Sequence, residues 1–128
     1  MAYISFQPHD HFNTVIYTGN ETARTITVGF QPDWVWTKCR SSAHSHISTD
    51  SVTGAGKRLK PDSNNAQDTS GASVASFVST GYTLTDNSTI NGNSETGVSW
   101  NWKANGSGSS NTDGSITSTV SANTTSGF

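Results

Sequence analysis

Two tryptophan pairs dominate the alternating hydrophobic pattern of this chain. In residues 34–38 bulky apolar side chains alternate with other types, so Trp34 and Trp36 share one face of a predicted strand. The same spacing recurs at Trp100 and Trp102. Because one indole can bury on the order of 200 Å², we predict that both pairs point into a single core. Their strands should then be neighbours in one sheet or partners across a sandwich.

Shorter alternating segments predict the remaining strands. They cover residues 14–18, 25–28, 47–50, 74–77, 82–84 and 96–103. Turn-forming residues separate them, and the Asn91-Gly92 pair is a hairpin signal. Short strands at roughly ten-residue spacing, without an amphipathic helix, indicate an all-β fold built as an antiparallel sandwich or jelly roll. Besides the tryptophans, the predicted core contains Tyr17, Phe77 and Leu84.

An N-terminal arm is predicted for residues 1–13, which mix aromatic and turn-forming residues without a recognisable period. Its apolar side chains, Tyr3, Phe6 and Phe12, would be costly to leave in water. We therefore expect them to pack on their own domain or to dock on a neighbouring chain.

The β-sandwich domain is predicted to span residues 14–104, and the composition changes after it. Residues 105–128 are mostly Gly, Ser, Thr and Asn, which is the composition of a linker. The closing Gly127-Phe128 is typical of the first residues of another strand. We therefore expect the linker to lead to a further repeat.

Composition and charge narrow the functional classes. The chain has 128 residues, of which 30% are hydrophobic and 12% charged, and this excludes a coiled coil or helical bundle. The net charge of −2 provides no electrostatic attraction to nucleic acid or to an anionic membrane. Without a long apolar run or a signal-peptide pattern, we expect neither membrane insertion nor classical secretion. The single cysteine, Cys39, excludes internal disulfides and fits assembly in a reducing cytoplasm.

The sequence contains no arrangement typical of a catalytic site. Its acidic residues are scattered through turns, and there is no Gly-x-Ser-x-Gly elbow. His44 and His46 would share a strand face and could form a metal site with Cys39 and Asp50, but their spacing matches no standard ligand pattern. Cys39 could act as a nucleophile only beside a positioned histidine. We therefore predict a protein that is not an enzyme and that uses no cofactor or metal.

Carbohydrate binding is the alternative to a purely structural role. β-Sandwiches recognise sugars by stacking them on exposed tryptophan or tyrosine rings, with polar side chains binding the hydroxyls. For the tryptophan pairs we favour the core, because the inner face of a sandwich is the less costly place for two indoles. Tyr82 is then the candidate glycan contact.

Five sequence blocks, taken in order, resemble a repeated domain of tailed-bacteriophage virion proteins from phages of marine bacteria and cyanobacteria. They are YTGN (17–20), GFQPDWVWTK (29–38), DSVTGA (50–55), STGYTL (79–84) and VSWNWKA (98–104). The resemblance covers about residues 14–104. The segment FQPHDHFNT (6–14) also resembles the start of such proteins.

The resemblance implies a concanavalin-like or jelly-roll sandwich displayed on a virion, in a tail fibre, a tail tip or a head decoration. It supplies no catalytic residues. We predict a virion structural protein, made in the host cytoplasm, that binds other virion proteins through Tyr3, Phe6 and Phe12. It should form a homo-oligomer, a trimer if it belongs to a fibre. The alternative is a carbohydrate-binding module that recognises host surface glycans.

Overall fold

The computed structural model describes residues 7–71 and 73–128. Within these ranges the chain forms a 3-10 turn at Pro8–Asp10, nine strands and one short helix, α1 (Ser88–Asn91). The strands are β1 (Phe12–Thr18), β2 (Arg24–Thr27), β3 (Trp34–Cys39), β4 (Ile47–Asp50), β5 (Val74–Val78), β6 (Gly81–Leu84), β7 (Thr96–Trp102), β8 (Ser109–Asn111) and β9 (Ser118–Val120). The all-β class predicted from the alternating pattern is confirmed.

Two antiparallel sheets contain seven of these strands. The first has four strands in the order β1-β7-β3-β4, and the second has three in the order β2-β6-β5. Strands β8 and β9 form a separate hairpin. Since β7 pairs with β3 along six residues, from Trp34↔Trp102 to Cys39↔Gly97, the two tryptophan strands are neighbours in one sheet.

The core lies between the four-stranded and the three-stranded sheet, in a sandwich-like arrangement. Its buried residues are Tyr17, Ile26, Val28, Phe30, Val35, Ile47, Val74, Tyr82, Leu84 and Ile90, with Val15 and Phe77 packed against them. The predicted core residues Tyr17 and Leu84 are therefore buried here, and Phe77 borders the same cluster.

The four tryptophans lie outside this core, which corrects the sequence-based prediction. They are Trp34, Trp36, Trp100 and Trp102. In β3 the buried positions belong to Val35 and Thr37, and in β7 to Ser99 and Asn101, so the alternating indoles fall on the opposite face. The inner face has little room for an indole, because a Cβ added at Gly97 would lie 2.6 Å from the Tyr17 ring.

Tyr82 is fully buried, so its predicted role as an exposed glycan contact is wrong. Its side chain belongs to the core cluster between the sheets, where burial raises the pKa of its hydroxyl above the usual range. The burial of Tyr82 follows from its position in β6, where side chains alternate between the two faces of the sheet. Its side chain is on the inner face and is covered by the facing sheet.

Helix α1 replaces the hairpin that was expected at Asn91-Gly92. The Asn87 side chain caps the helix by accepting a hydrogen bond from the Thr89 N–H. Asn91 is buried, and its Nδ2 donates to the carbonyl oxygens of Thr22 and Thr85 at 2.9 and 2.7 Å. The asparagine thus satisfies loop carbonyls instead of supplying a positive-φ turn.

The C-terminal segment is folded against the domain, although its composition predicts a linker. Strands β8 and β9 pair in register from Ser109↔Val120 to Asn111↔Ser118. The Ser51 hydroxyl donates to the Gly106 carbonyl at 2.6 Å and ties the start of the segment to the four-stranded sheet. A backbone ladder and side-chain bonds to backbone atoms hold this polar hairpin, so it needs no apolar core of its own.

The N-terminal arm is shorter than predicted, because Phe12 and Asn13 belong to β1. The Asn13 side chain donates to the Val28 carbonyl at 2.8 Å. Two of the proposed anchoring residues, Tyr3 and Phe6, lie outside the described residues.

Arg58 organises the long connection between β4 and β5. Its buried guanidinium donates from Nε and Nη2 to one carboxylate oxygen of Asp68, at 3.1 and 2.8 Å, and from Nη1 to the Ser73 hydroxyl at 3.0 Å. The Ser70 hydroxyl and Arg58 together hold the pKa of Asp68 well below its usual range.

Asp68→Asn is expected to reduce the loss of stability on acidification. A carboxylate whose pKa is lowered by folding stabilises the protein above its unfolded-state pKa of about 3.9, and this contribution fades as the pH falls towards the folded-state pKa. The wild-type free energy of unfolding should therefore fall more steeply than that of the variant between about pH 5 and pH 3, as measured by urea unfolding. Asp113→Asn, in the exposed β8–β9 connection, controls for net charge. Parallel curves for wild type and Asp68→Asn would contradict the role of this carboxylate.

Candidate ligand-binding face

The outer face of the four-stranded sheet carries a continuous group of aromatic side chains, here called the aromatic face. It consists of Phe12, Trp34, Trp36, His46, Trp100, Trp102 and Phe128. Strand register produces it, because Phe12 of β1 and Trp34 of β3 both align with Trp102 of β7. In the adjacent row Trp36 aligns with Trp100. Two Trp-x-Trp strands paired in register therefore concentrate all four indoles of the chain on one surface.

The first row is a stack of rings. The centroids of Trp34 and Trp102 are 4.4 Å apart with an interplanar angle of 25°, and Phe12 lies 5.0 Å from Trp102 at 51°. Phe128 stacks nearly parallel to both indoles, with centroids 5.9 Å from Trp34 and 6.0 Å from Trp102. Phe12 is 39% exposed and Phe128 42% exposed, so this end of the aromatic face remains open to solvent.

The second row forms a cleft. Trp36 meets Trp100 edge-on, with centroids 6.4 Å apart at 73°, and meets His46 at 5.8 Å and 72°. The space of about 280 Å³ beside them is lined by Trp36, His46, Trp100 and Trp102. Rings set nearly perpendicular to one another leave an apolar notch between them instead of closing into a stack.

Hydrogen bonds fix two of the indoles on the sheet. Trp34 Nε1 donates to the Ser48 hydroxyl at 2.8 Å, and Trp36 Nε1 donates to Nδ1 of His46 at 3.0 Å. Because Nδ1 accepts, the neutral His46 ring carries its proton on Nε2. Within the described part of the chain, no acceptor contacts this Nε2, and no partner contacts Nε1 of Trp100 or Trp102.

A contiguous exposed apolar patch on a protein surface marks an interaction site more often than chance. The cleft on the aromatic face shares the apolar, ring-rich lining of small-molecule sites. Sequence reasoning selected these tryptophans but assigned them to the core. It did not single out His46 as a ring beside them; His46 immediately precedes β4, which pairs with β3.

The residues considered for a metal site separate into three places. His46 lies on the aromatic face, and the Asp50 carboxylate caps a turn by accepting hydrogen bonds from Val52 and Thr53. Cys39 and His44 do come together, but around Glu95, which sequence reasoning did not select. The Ser42 hydroxyl, followed by contacts from Cys39 and His44, lowers the pKa of Glu95.

The fold and this surface define an all-β module with a partly exposed aromatic face on one sheet, on which the indoles are half-buried. A family model described as "Domain of unknown function (DUF7483)" matches residues 7–128, so the chain belongs to this family. No curated protein and no solved structure matches the chain. Among the described residues, no helix has the length and apolar character needed to cross a membrane.

Proposed function

We propose that this chain is a non-enzymatic module of a tailed-bacteriophage virion structural protein and that its aromatic face binds host surface glycans. The observation that carries the glycan assignment is the surface cleft formed by three indoles and His46. The virion assignment rests on the five sequence blocks within residues 14–104. The finer description of the fold, a concanavalin-like or jelly-roll sandwich, is part of the same proposal.

The chemistry of the cleft suits a sugar. The apolar C–H face of a pyranose ring can pack against an indole, while the hydroxyls at the ring edge need hydrogen-bond partners. The cleft itself is lined almost entirely by apolar ring atoms, so we expect the hydroxyls to find donors beside it, at Nε2 of His46 and the indole N–H groups of Trp100 and Trp102, which contact no partner among the described residues. At about 280 Å³ the cleft is close to the lower end of ligand pockets, roughly 300–1,000 Å³, which suits one or two sugar units.

Display in several copies would give a shallow site useful strength. An open cleft immobilises its ligand weakly, so we expect low affinity for each domain. Copies held on one particle convert later binding events into intramolecular ones and can raise the overall affinity by about 10²–10⁴. We therefore propose a homo-oligomer on the virion, a trimer if the module belongs to a fibre.

The direct test is a glycan array probed with the whole chain, followed by titration with the sugars that bind. Since all four tryptophans lie on the aromatic face, intrinsic tryptophan fluorescence reports on this surface alone. We expect bound sugar to change the emission intensity or wavelength in a saturable manner. Binding to no glycan on the array, together with unchanged emission in host lipopolysaccharide and capsular polysaccharide, would overturn the glycan assignment.

The segment before β1 is proposed to anchor the module to the particle through Tyr3 and Phe6. Circular dichroism and urea unfolding verify that the double variant Tyr3→Ala, Phe6→Ala is folded. We expect it to be missing from virions produced by phage that carry the altered gene, as judged by peptide mapping. Ser5→Ala is the matched control and should be incorporated normally. Normal incorporation of the double variant would exclude this anchor.

A further inference from the structure

Three side chains with metal-binding atoms converge at one end of the sandwich, apart from the aromatic face. Cys39 is the last residue of β3, His44 lies in the connection to β4, and Glu95 immediately precedes β7. Cys39 Sγ, a ring nitrogen of His44 and a carboxylate oxygen of Glu95 all lie within 4.8 Å of one another. The pairing of Cys39 with Gly97 in the β3–β7 ladder places the thiol next to the carboxylate.

We propose that Cys39, His44 and Glu95 form a three-residue binding site for a zinc ion, with the fourth coordination position open to water. Thiolate, imidazole and carboxylate are the three ligand types that zinc takes from proteins. This proposal is independent of glycan binding, because the cluster shares no residue with the aromatic face.

Two of the three distances between ligand atoms fit a tetrahedral centre. Zinc bonds of about 2.0 Å to nitrogen or oxygen and about 2.3 Å to sulfur place pairs of ligand atoms about 3.3–3.6 Å apart. Cys39 Sγ lies 3.4 Å from Oε2 of Glu95, and His44 Nε2 lies 3.2 Å from the same oxygen. The third distance, from Cys39 Sγ to the His44 ring nitrogen, lies within 4.8 Å and is the one that zinc uptake would adjust.

Neighbouring groups hold two of the three ligands, Glu95 and His44, in place. The Ser42 hydroxyl donates to Oε1 of Glu95 at 2.5 Å and so orients the other carboxylate oxygen, Oε2, towards the thiol and the imidazole. The Lys38 ammonium donates to the backbone carbonyl of His44 at 2.5 Å. Such outer contacts normally orient metal ligands, and their loss lowers metal affinity by about 10–100-fold.

Burial at the cluster is graded from the inside to the surface. Cys39 is 3% exposed, whereas the side chains of His44 and Glu95 are 31% and 26% exposed. An ion can therefore enter from the side of the histidine and carboxylate while the thiolate remains shielded. The open side also provides space for the water that completes the coordination.

Zinc uptake should release a proton from the cluster. The Cys39 thiol donates to Glu95, and zinc binds the thiolate, so uptake must release the thiol proton. Calorimetry in buffers of different ionisation enthalpy measures the number of protons released.

The test uses the full chain after treatment with chelator, titrated with zinc alone by calorimetry and with cobalt(II) by absorption. We expect one ion per chain and a thiolate-to-cobalt charge-transfer band, which must arise from Cys39 because the chain has one cysteine. Cys39→Ser and Glu95→Gln should each weaken zinc binding at least tenfold, and Ser42→Ala about tenfold. His9→Ala, at an exposed histidine outside the cluster, should bind zinc like wild type.

Two outcomes would overturn the site. One is the absence of zinc binding and of the charge-transfer band in folded wild-type protein, which would make the cluster a hydrogen-bond network only. The other is zinc binding that Cys39→Ser, His44→Gln and Glu95→Gln all leave unchanged. Circular dichroism verifies that each variant is folded, and Glu95→Gln preserves side-chain shape if Cys39→Ser proves unstable.

Discussion

Trp36→Ala should weaken glycan binding at least about fivefold while leaving the domain folded. Trp36 contributes a ring to the cleft and positions His46 through its indole N–H, so the substitution removes both a stacking surface and the support of a neighbouring ring. Stacking of nucleobases on aromatic side chains is worth roughly 1–3 kcal/mol, and the lower end of that range for a sugar corresponds to about fivefold in affinity. Titration of the array-selected glycan by calorimetry measures the change.

Ile16→Ala is the matched control for this substitution. Ile16 is 63% exposed on the same outer face, in β1, but it lies outside the cleft. If the cleft is the site, this variant binds like wild type, whereas non-specific adsorption to an apolar surface would be reduced by both substitutions. Wild-type affinity in Trp36→Ala would mean that sugars bind elsewhere on the module.

Gly81→Ala is expected to lower the free energy of unfolding by about 3 kcal/mol or more, because it inserts an atom where two strands touch. A Cβ at Gly81 would lie 1.9 Å from the carbonyl oxygen of Ile26 and 3.2 Å from the backbone nitrogen of Val28. Both obstacles are backbone atoms, so they can yield only if β2 moves away from β6. Such a movement opens the core beside Ile26 and Tyr82, which are paired across this ladder.

The measurement is urea unfolding followed by far-UV circular dichroism, with Gly114→Ala as control. Gly114 lies in the exposed connection between β8 and β9, and its added Cβ would meet no atom closer than 4.0 Å. We expect the control to change stability by less than about 0.5 kcal/mol. Equal stability of Gly81→Ala and wild type would show that the contact between β2 and β6 is not as tight as described.

Local patterns identified most of the strands but not the side of the sheet on which a residue lies. The alternating pattern places Trp34 and Trp36 on the same face of their strand. It does not show whether that face points into the core or towards solvent. The assignment to the core assumed that the largest apolar groups are buried. Here Thr37 and Ser99 occupy the inner face instead, and the core contains Tyr17 of the same sheet and Tyr82 of the facing sheet.

The candidate sites depended even more on pairing across the sheet. His44 and Glu95 are 51 residues apart in sequence, and only the antiparallel pairing of β3 with β7 brings them within contact distance. The same pairing sets Trp36 beside Trp100, and the β3–β4 pairing brings His46 to them. No spacing rule within one segment could have identified either cluster.

Composition and periodicity were sufficient for the all-β class and for the approximate positions of the strands, because propensity, alternation and turn chemistry act over a few residues. Composition was not sufficient for residues 105–128, which have the composition of a linker but form a hairpin. The start of this segment is held by a hydrogen bond from a distant residue, Ser51, to the carbonyl of Gly106. Which face is buried, and which distant residues meet, follows from the register of two strands and from the shapes that fill the space between the sheets. Those are properties of the whole chain, so the aromatic face and the Cys39–His44–Glu95 cluster became visible only in the tertiary structure.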